Sequence, residues 1–519
     1  EICACLVGSE MCIRDRVHIR IIGDYDVDGV TSSHLFLTAL RRVGAKVDVV
    51  IPHRIQDGYG LSLHLLQQAK EDGVDTILTC DNGIAAIDEI AWAKAQKMTV
   101  LVTDHHAVPF EEHEGRRTEK KSLADAVVNP HQQDCGYPYK ELCGAGVAWN
   151  VIRVLYENYD MDKREAEDLL DFVAMATVCD VMSLTGENRI LVKEGLKRIR
   201  HTKNIGLQAL MQACNVQPEN ISAYHFGYVL GPCVNATGRL DTARHALRLF
   251  ETGQETEAEE IARDLVDLNQ ERKELTLQGV EMAKKLCEEG GYENDPILVL
   301  FLPDVHESIA GLIAGRIREM YNRPVFVLTR GEEGVKGSGR STENYSMYEN
   351  MCGCAELFTK FGGHPMAAGL SLPEENVEKF RRKINENCPL TVEEVCPDIH
   401  IDMAMPVGYA STELVHQFAL LEPFGKDNPS PLFADRNLSI SRMWVIGKNR
   451  NVLRMSVLSE YGQPVPVIFF GDVETLFAYF TEKFGQEEVE NALHGRKNRI
   501  LFSMVYTATV SYTHLRAHE

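Results

Sequence analysis

The chain has 519 residues, which is enough for two to four domains with sizeable hydrophobic cores. Hydrophobic residues make up 44% and charged residues 25% of the sequence, and because no apolar run is long enough to span a bilayer, no membrane anchor is expected. The net charge of -22 weighs against a general basic coat for nucleic acid, but it leaves room for a locally basic channel.

The 14 cysteines follow no regular spacing, and several lie inside apolar segments. This pattern predicts reduced thiols in a cytoplasmic protein rather than a disulfide framework, and no convincing signal peptide is visible. Residues 1–16 and 510–519 show neither helical nor strand periodicity, and we expect both segments to be non-native sequence. The genuine chain is then expected to begin near Val17 and to break off near Thr509.

The first predicted strand is the largely apolar run of residues 17–22, which is followed by Asp-Tyr-Asp-Val-Asp-Gly at residues 24–29. Alternate side chains of an extended backbone share a face, so Asp24, Asp26 and Asp28 are expected to project one way. Like charges this close repel unless protons or cations intervene, and hard divalent cations are the usual partners. By itself, the stretch fits an acidic surface turn equally well.

Strands and helices then alternate along the chain. The predicted strands are residues 47–51, 76–80, 99–102 and 126–128, and the predicted helices are residues 31–43, 62–72 and 84–97. The alternation predicts a parallel, doubly wound sheet that binds its ligand at the carboxyl ends of the strands. Asp81 and the run Asp104-His105-His106 occupy two such ends. Asp180 follows a predicted helix at residues 165–178, where it is either a surface acid or a further ligand.

Two features are predicted between this sheet and the next. Residues 231–239, with the sequence Gly-Pro-Cys-Val-Asn-Ala-Thr-Gly-Arg, are expected to form a small-residue turn. Such a turn lets the backbone approach a ligand and Arg239 bind phosphate, although an ordinary loop with a surface arginine has the same pattern. Residues 257–289 predict a helix roughly 50 Å long that bridges two domains. A coiled-coil dimer arm is the alternative.

A second α/β unit follows, with predicted strands at residues 297–302 and 325–329 and predicted helices at residues 309–321 and 375–387. Two small-residue loops, residues 337–341 and 361–369, offer amides, hydroxyls and an arginine for an anion. From about residue 396, short β-rich runs predict a small barrel of the OB-fold type. Its aromatic residues either stack on a nucleic acid strand or fill the core, and the candidates are Phe433, Trp444, Phe469 and Phe470.

The clustered acids and histidines indicate metal chemistry. Carboxylates with histidine suit Mn²⁺ better than Mg²⁺ or Ca²⁺, which prefer oxygen ligands. Two metal ions bridged by a carboxylate can activate water and hold a phosphoryl oxygen, while an anion site on a second domain fixes a neighbouring phosphate. The residues therefore predict metal-assisted hydrolysis of a phosphoester.

The same segments resemble a known family. Residues 24–29, 81–83, 104–106 and 180 are similar to the four ordered motifs of the DHH phosphoesterase superfamily, and residues 337–341 and 361–369 are similar to its DHHA1-type second domain. Residues 235–239, the long helix and the β-rich C-terminal part resemble the bacterial RecJ family of single-strand-specific 5′→3′ exonucleases.

The resemblance implies an α/β protein with two α/β domains, DHH and DHHA1-like, that are joined by a long helix and followed by a small β-barrel (OB-fold) domain. The implied boundaries are a DHH catalytic domain at residues 17–204, a helical region with the connecting helix at 205–292, a DHHA1-like substrate-binding domain at 293–392 and an OB-fold-like nucleic-acid-binding domain at 393–509.

The resemblance also implies residue roles. Two Mn²⁺ ions, with Mg²⁺ as the alternative, would be held by Asp24, Asp26, Asp28, Asp81, His105 and Asp180, with Asp81 as the bridge. His106 would polarise the scissile phosphate, and Asp104 would orient the two histidines. The substrate phosphate would be bound by Arg239, Ser338, Gly339, Arg340, Ser341, Gly362, Gly363 and His364, with His306 and Asn235 lining the cleft. Smaller superfamily members carry a metal-binding histidine where this chain has Ile22, so Asp24 is expected to substitute for it.

The implied function is a 5′→3′ exonuclease that releases 5′-mononucleotides from single-stranded DNA during repair and recombination in the cytoplasm. A monomer is expected, with a single-stranded-DNA-binding protein and a RecQ-type helicase as protein partners. One alternative is a phosphodiesterase of the same superfamily acting on nano-RNA or cyclic dinucleotides, although those proteins usually lack the long helix and the barrel. Another is an inactive scaffold, although such relatives typically lose motif acids that this chain retains.

Overall fold

The computed structural model describes residues 17–518 except residues 55–56, 58–59, 114–115, 241–242, 293–294, 332–333, 389, 391–398, 448–449 and 509–514. The expectation that residues 1–16 are non-native therefore lies outside the described residues. The chain divides into two compact units, the first reaching Met182 and continuing from Gly186 to Pro397, and the second formed by residues 183–185 and 398–519. None of the helices in the described ranges is both long and apolar enough to cross a membrane.

The first unit begins with a parallel sheet, as predicted, in the strand order β2-β1-β3-β4-β7. Its strands are β1 (His18–Ile22), β2 (Lys46–Val50), β3 (Thr76–Cys80), β4 (Thr99–Thr103) and β7 (Ala126–Val128), and the crossover helices are α1 (Val27–Arg42), α2 (Leu63–Glu71) and α3 (Ile87–Ala95). A separate hairpin, β5 (Phe110–His113) with β6 (Arg116–Glu119), follows β4. Strand β3 is buried along its whole length, because helices cover both faces of such a sheet.

Helices fill the next part of the first unit. They are α4 (Gly144–Asn158), α5 (Lys163–Glu167), α6 (Leu170–Cys179), α7 (Gly186–Ile199), α8 (Ile205–Ala213), the short turn α9 (Ala223–His225), a π-helix (Phe226–Leu230), α10 (Gly231–Leu240) and α11 (Ala243–Glu251). Helices α1, α4 and α6 contact one another, and α1 and α4 also contact strands of the sheet. Asp180 therefore reaches the sheet from the end of α6.

The predicted turn at residues 231–239 is wrong, because this segment is helix α10. Its small residues allow close helix contacts instead of a turn. A Cβ atom on Gly231 would lie 2.3 Å from the Cys179 sulfur, and one on Gly238 would lie 2.4 Å from the carbonyl oxygen of Tyr25. The glycines thus bring α10 against both the end of α6 and the acidic motif.

The long helix α12 (Glu255–Glu289) bridges the two parts of the first unit, as predicted. Its first half contacts α8, α10 and α11, and its second half contacts β8 and α13. Each half buries its own apolar residues. Ile261 and Leu265 are buried in the first half, and Ala283 and Cys287 are buried in the second. At about 1.5 Å per residue the helix is about 52 Å long.

A second, mixed sheet has the strand order β11-β12-β10-β9-β8. Its strands are β8 (Leu298–Phe301), β9 (Val325–Gly331), β10 (Gly334–Arg340), β11 (Lys360–His364) and β12 (Ala367–Leu372), and its helices are α13 (Glu307–Tyr321), α14 (Met347–Cys352) and α15 (Val377–Glu386). The two predicted small-residue loops are wrong, because they lie largely in antiparallel strands. A Cβ on Gly337 would lie 2.4 Å from Leu328, and a Cβ on Gly339 would lie 2.3 Å from Met347. Tertiary packing therefore leaves no room for a side chain at either position.

The second unit confirms the predicted OB-type barrel. Its strands are β13 (Met403–Ala404), β14 (Phe433–Ile446), β15 (Val452–Leu458), β16 (Pro464–Phe470), β17 (Leu501–Ala508) and β18 (Leu515–His518), and its helices are α16 (Thr412–Phe418), α17 (Val473–Phe484) and α18 (Gln486–Leu493). The order β13-β14-β15-β16-β18-β17 closes through a pairing between β14 and β17. Strand β18 lies within residues 510–519, which were expected to be non-native sequence, and it pairs with both β16 and β17.

Candidate active site

The predicted acids meet at the carboxyl edge of the parallel sheet. Parallel pairing aligns the ends of β1, β3 and β4, after which Asp24, Asp81 and Asp104 follow. All three carboxylates are buried, with 1–2% of each residue exposed. The first three motifs therefore lie at the carboxyl ends of parallel strands, as predicted. Asp180 joins them from the C-terminal end of α6.

The side chains form three overlapping groups, each with potential ligand atoms within 4.8 Å of one another. The groups are Asp24 with Asp26 and Asp81, Asp28 with His105 and Asp180, and Asp81 with His105 and His106. His105 Nε2 lies 3.0 Å from Asp81 Oδ1, 3.6 Å from Asp180 Oδ2 and 3.7 Å from Asp28 Oδ2. The structure therefore brings all six predicted metal ligands together.

The acidic motif is not extended, which corrects the expectation of alternating side chains on one face. Asp26 is the N-cap of α1 and accepts a hydrogen bond from Gly29 N at 3.0 Å, and Asp28 lies in the first helical turn. Helix α1 begins at Val27 rather than near residue 31, because aspartate is a strong N-cap and an acid is favoured in the first turn. The acids converge through a strand end and a helix start.

The N-terminus of α4 holds Asp28 in place. The two carboxylate oxygens of Asp28 accept hydrogen bonds from Gly144 N at 2.6 Å and Ala145 N at 2.7 Å. A helix N-terminus favours a negative charge. A Cβ on Gly144 would lie 2.7 Å from Asp81 Cβ, so glycine is required for α4 to approach both acids. Sequence reasoning missed this contact.

Asp81 lies in a constrained turn. Its backbone has φ +62°, and Gly83 has φ +108°. The Asn82 side-chain amide donates to Ile22 O and Cys80 O and so links this turn to the end of β1. A left-handed aspartate costs conformational energy, and such positions cluster at functional sites.

Asp104 orients His106. Its Oδ1 accepts hydrogen bonds from the backbone N–H groups of His105 and His106 and lies 2.8 Å from His106 Nδ1, while its Oδ2 accepts from Ile84 N. This arrangement turns Nε2, the other ring nitrogen of His106, away from Asp104. Burial alone would lower the pKa of His106, but the hydrogen bond and charge of Asp104 raise it to about 9.

The electrostatics of the cluster fit divalent cations. Burial, reinforced by neighbouring carboxylates, raises the pKa of Asp24, Asp26 and Asp81. Burial lowers the pKa of His105, which favours the neutral imidazole that binds metals. Asp24 Oδ1 is buried without a hydrogen-bond partner among the described residues. A mixed set of aspartates and histidine is the donor set expected for Mn²⁺, with Mg²⁺ also compatible with the oxygens.

A cleft of about 390 Å³ lies between the acidic motif and the second sheet, within the first unit. Tyr25 and Arg54 line it from the side of the parallel sheet, and Ser308 of α13 and Ser338 of β10 line it from the other side. The start of α13 adds positive potential from its N–H groups. Arg239 crosses toward this cleft and donates from Nη1 to Ser308 O at 2.7 Å.

Strand register decides which predicted phosphate ligands share the cleft-side face of the second sheet. Ser338 pairs with Gly369, which pairs with Gly362, and Arg340 pairs with Ala367, which pairs with His364. Paired residues of adjacent strands point the same way, so Ser338, Arg340, Gly362 and His364 share one face. Gly339 and Gly363 lie on the opposite face of the sheet. Ser341 is buried, and its hydroxyl donates a hydrogen bond to Tyr345 O. These last three are not brought to the cleft.

The two remaining predicted residues border the same region. Asn235 Oδ1 accepts a hydrogen bond from Val27 N at 3.1 Å, which ties α10 to the acidic motif. His306 is the N-cap of α13, and its Nδ1 accepts from Ser308 N. Both thus hold the backbone that borders the cleft.

Three guanidinium groups converge near the cleft. Burial and nearby positive charges lower the pKa of Arg239 and Arg340, and Arg54 is among the charged neighbours of both. Since arginine stays protonated in proteins, an anion between them would be strongly favoured. Sequence reasoning missed Arg54, although its position after the carboxyl end of β2 was a usable signal.

Three family models match the chain. The N-terminal domain of the DHH family matches residues 18–177, the DHHA1 domain matches residues 294–388, and the RecJ OB domain matches residues 401–511. All three descriptions agree with the resemblance drawn from the motifs.

Curated relatives cover most of the chain. The single-stranded-DNA-specific exonuclease RecJ of Haemophilus influenzae is 35% identical over 464 residues, covering 86% of this chain and 79% of that protein. The RecJ of Escherichia coli is 34% identical over 460 residues, covering 84% of this chain and 77% of that protein. The RecJ of Bacillus subtilis is 33% identical over 458 residues, covering 88% of this chain, but the chain spans only 56% of that longer relative.

Solved structures show the same architecture. The crystal structure of RecJ from Thermus thermophilus in complex with Mn²⁺ matches with a TM-score of 0.77 at 26% identity, covering 99% of this chain and 70% of that chain. Its counterpart in complex with Mg²⁺ has a TM-score of 0.73 at 25% identity, covering 99% of this chain and 69% of that chain. The predicted family is thereby confirmed, and the chain belongs to the RecJ family of single-stranded-DNA-specific exonucleases.

Proposed function

We propose that this chain hydrolyses single-stranded DNA from the 5′ end and releases 5′-mononucleotides, using two divalent cations, Mn²⁺ or Mg²⁺. The observation that carries the proposal is that five buried or partly buried aspartates and His105 form overlapping groups beside a cleft that gathers arginines. The names of its relatives, which specify single-stranded DNA, support the choice of substrate.

The ligand groups suggest how the metal ions are divided. Asp24, Asp26 and Asp81 would hold one ion, and Asp28, His105 and Asp180 would hold the other. Asp81 lies next to both sets, since its Oδ1 is 3.0 Å from His105 Nε2, so it would be the ligand shared by the two ions. When bound, the cations supply Lewis acidity toward water and toward a phosphoryl oxygen.

His106 contacts the scissile phosphate in this proposal. Because Asp104 holds Nδ1 at 2.8 Å, Nε2 is the ring atom that can donate to a non-bridging oxygen. The hydrogen bond to Asp104 raises the pKa of His106, and the four hydrogen bonds that Asp104 accepts keep the ring oriented. His106 therefore stabilises the charge that develops on the phosphoryl group.

The cleft would hold the 5′-terminal phosphate. The N-terminus of α13, the Ser338 hydroxyl and the three guanidinium groups are all anion donors. A phosphate fixed there places the neighbouring phosphodiester at the acids, because α10 and the acidic motif border both sites. Such a register releases one nucleotide at a time from the 5′ end.

Replacing Arg340 with alanine is expected to lower kcat/KM for a 5′-phosphorylated strand by roughly 10- to 100-fold, since a hydrogen bond to a charged group contributes about 1.5–3 kcal/mol. A 5′-hydroxyl strand should lose much less. Arg330→Ala is the matched control, because Arg330 lies on the adjacent strand and pairs with Glu374. Equal losses for both kinds of 5′ end would remove Arg340 from phosphate recognition.

The second unit has a surface that suits a downstream strand. Trp444 of β14 pairs across the sheet with Arg454 of β15, and the guanidinium groups of Arg442 and Arg454 lie 5.6 Å and 5.3 Å from the indole centre. Phe470 is 49% exposed, whereas Phe433 and Phe469 are buried in the barrel core. Aromatic and basic residues on one face are typical of a single-strand binding site.

The cellular setting is part of the proposal. The ten cysteines in the described ranges are all free, which agrees with a reducing cytoplasm. A monomer assisted by a single-stranded-DNA-binding protein and a RecQ-type helicase would receive unwound substrate at its 5′ end. Repair and recombination generate such strands.

End-labelled strands test the function directly. With Mn²⁺, the protein should release labelled mononucleotide at once from a 5′-labelled single strand and only late from a 3′-labelled one, and it should spare blunt duplex. Omitting the metal or adding a chelator should abolish release. Equal activity on duplex, or early release from the 3′ end, would contradict the proposal.

A further inference from the structure

Two exposed tyrosines form a stacked pair directly before helix α10. The ring centres of Tyr224 and Tyr228 are 5.1 Å apart, with 24° between the ring planes. Tyr224 is 62% exposed and Tyr228 is 71% exposed. Large aromatic rings with this much exposure add little to the core, so the pair is a candidate for contact with a ligand.

The pair is anchored beside the metal-ligand cluster. Tyr228 belongs to the π-helix (Phe226–Leu230), and Tyr224 lies in the turn just before it. The Cys179 thiol donates to Phe226 O at 3.3 Å, and Gly227 lies against Val178. Cys179 immediately precedes Asp180, so the tyrosines are attached to the helix end that supplies a candidate ligand. Single π-helical turns frequently occur at functional sites.

The tyrosines continue a face that leads from the cleft past the acids. Tyr224 and Tyr228 are exposed, Pro232, Asn235 and Arg239 are partly buried, and these five positions of the helical run are spaced three or four residues apart. Arg239 contacts the cleft and Asn235 contacts the acidic motif. At about 1.5 Å per residue, Tyr228 lies about 10 Å and Tyr224 about 16 Å beyond Asn235. The order along one face is therefore cleft, acids, tyrosines.

We propose that Tyr224 and Tyr228 form a stacking platform for the bases of single-stranded nucleic acid on the 3′ side of the scissile bond. The inference rests on the proposed function, which places the 5′ phosphate in the cleft. At a rise of about 3.4 Å per nucleotide, the platform receives bases about three to five nucleotides beyond the acids, and fewer if the strand is stretched.

The platform also selects single strands. Base–aromatic stacking tolerates any base, because every base has a π-face, but it needs a base that is not already stacked within a duplex. Tyr224 and Tyr228 thus act as positioning residues, and they touch neither the reacting phosphate nor the metal ligands.

The test compares Tyr224→Ala/Tyr228→Ala with the unmodified full chain on two 5′-phosphorylated substrates, a thymidine dinucleotide and a 20-mer. For the 20-mer, KM should rise on the order of tenfold, as the loss of one stacked base predicts, while kcat at saturation stays unchanged. The dinucleotide is too short to reach the platform, so its kinetics should not change. Tyr224→Phe/Tyr228→Phe should restore the parent KM.

A binding measurement keeps the inference testable apart from turnover. A 20-mer with 2-aminopurine at its fourth nucleotide should lose fluorescence on binding to the parent protein and to the phenylalanine variant, but not to the alanine variant. Tyr479→Ala, which removes an exposed tyrosine of the second unit, is the control and should behave like the parent.

Different failures have different meanings. If the parent does not degrade the 20-mer, the proposed function fails, while the fluorescence assay still decides the platform. If the alanine variant matches the parent in KM and quenching, the inference is overturned. It is also overturned if the parent forms a dimer that the alanine variant lacks, because a second copy of the chain would then occupy the tyrosines.

Discussion

Asp81→Asn is expected to lower kcat on single-stranded DNA on the order of 10³-fold, which corresponds to roughly 4 kcal/mol of barrier. The reason is the position of Asp81 between the two ligand groups, where its carboxylate would serve both cations in the proposed mechanism. Asparagine tolerates the left-handed backbone of this residue, so the variant should fold. The measurement is single-turnover cleavage of a 5′-labelled strand at saturating protein.

Binding separates the chemical role of Asp81 from a structural one. The variant should keep its affinity for single-stranded DNA in a fluorescence anisotropy assay, while its capacity for tightly bound Mn²⁺ falls below two ions. Asp88→Asn, at an exposed position at the start of α3, is the matched control and should change neither quantity. Near-normal turnover by Asp81→Asn would show that Asp81 is not the bridge.

His106→Ala is expected to lower kcat roughly 10²- to 10³-fold while both metal ions stay bound. His106 is oriented by Asp104 and is assigned to the substrate phosphate, so its removal affects the transition state rather than the metal content. The measurements are kcat and the Mn²⁺ stoichiometry by titration calorimetry. Asp104→Asn should show a smaller loss of the same kind, because the imidazole remains but is less well held.

The metal content can contradict this assignment. His106 also lies within ligand distance of Asp81 and His105, so the geometry allows it to be a metal ligand. If His106→Ala binds one Mn²⁺ fewer than the parent, His106 belongs to the metal shell. His201→Ala, at an exposed site in the first unit, should retain both activity and metal content.

Positions that depend on strand ends were predictable from the sequence. Asp81 and Asp104 follow short apolar runs, and a parallel sheet brings the ends of such runs together whatever its other contacts are. The extended interpretation of the acidic motif failed because it ignored a local signal. Asp26 is a strong N-cap directly before a helical segment, and this starts α1 within the motif.

Features set by distant contacts were not predictable. The amides that hold Asp28 belong to Gly144 and Ala145, which lie 116 and 117 residues further along the chain. The glycines of β10 resembled a loop because glycine favours turns, yet Leu328 and Met347 are the reason that residues 337 and 339 have no side chain. The strand register puts Gly339 on the face opposite to Ser338 and Arg340, and Ser341, just after the strand, is buried and donates its hydroxyl to Tyr345 O.

The most direct test of the account is a crystal of the full chain soaked with Mn²⁺ and a short 5′-phosphorylated strand with phosphorothioate linkages. Two anomalous peaks are expected with Asp81 as their shared ligand, His105 and the remaining aspartates as further ligands, and a terminal phosphate among Arg54, Arg239 and Arg340. No manganese among these acids, or a strand with its 3′ end in the cleft, would contradict it.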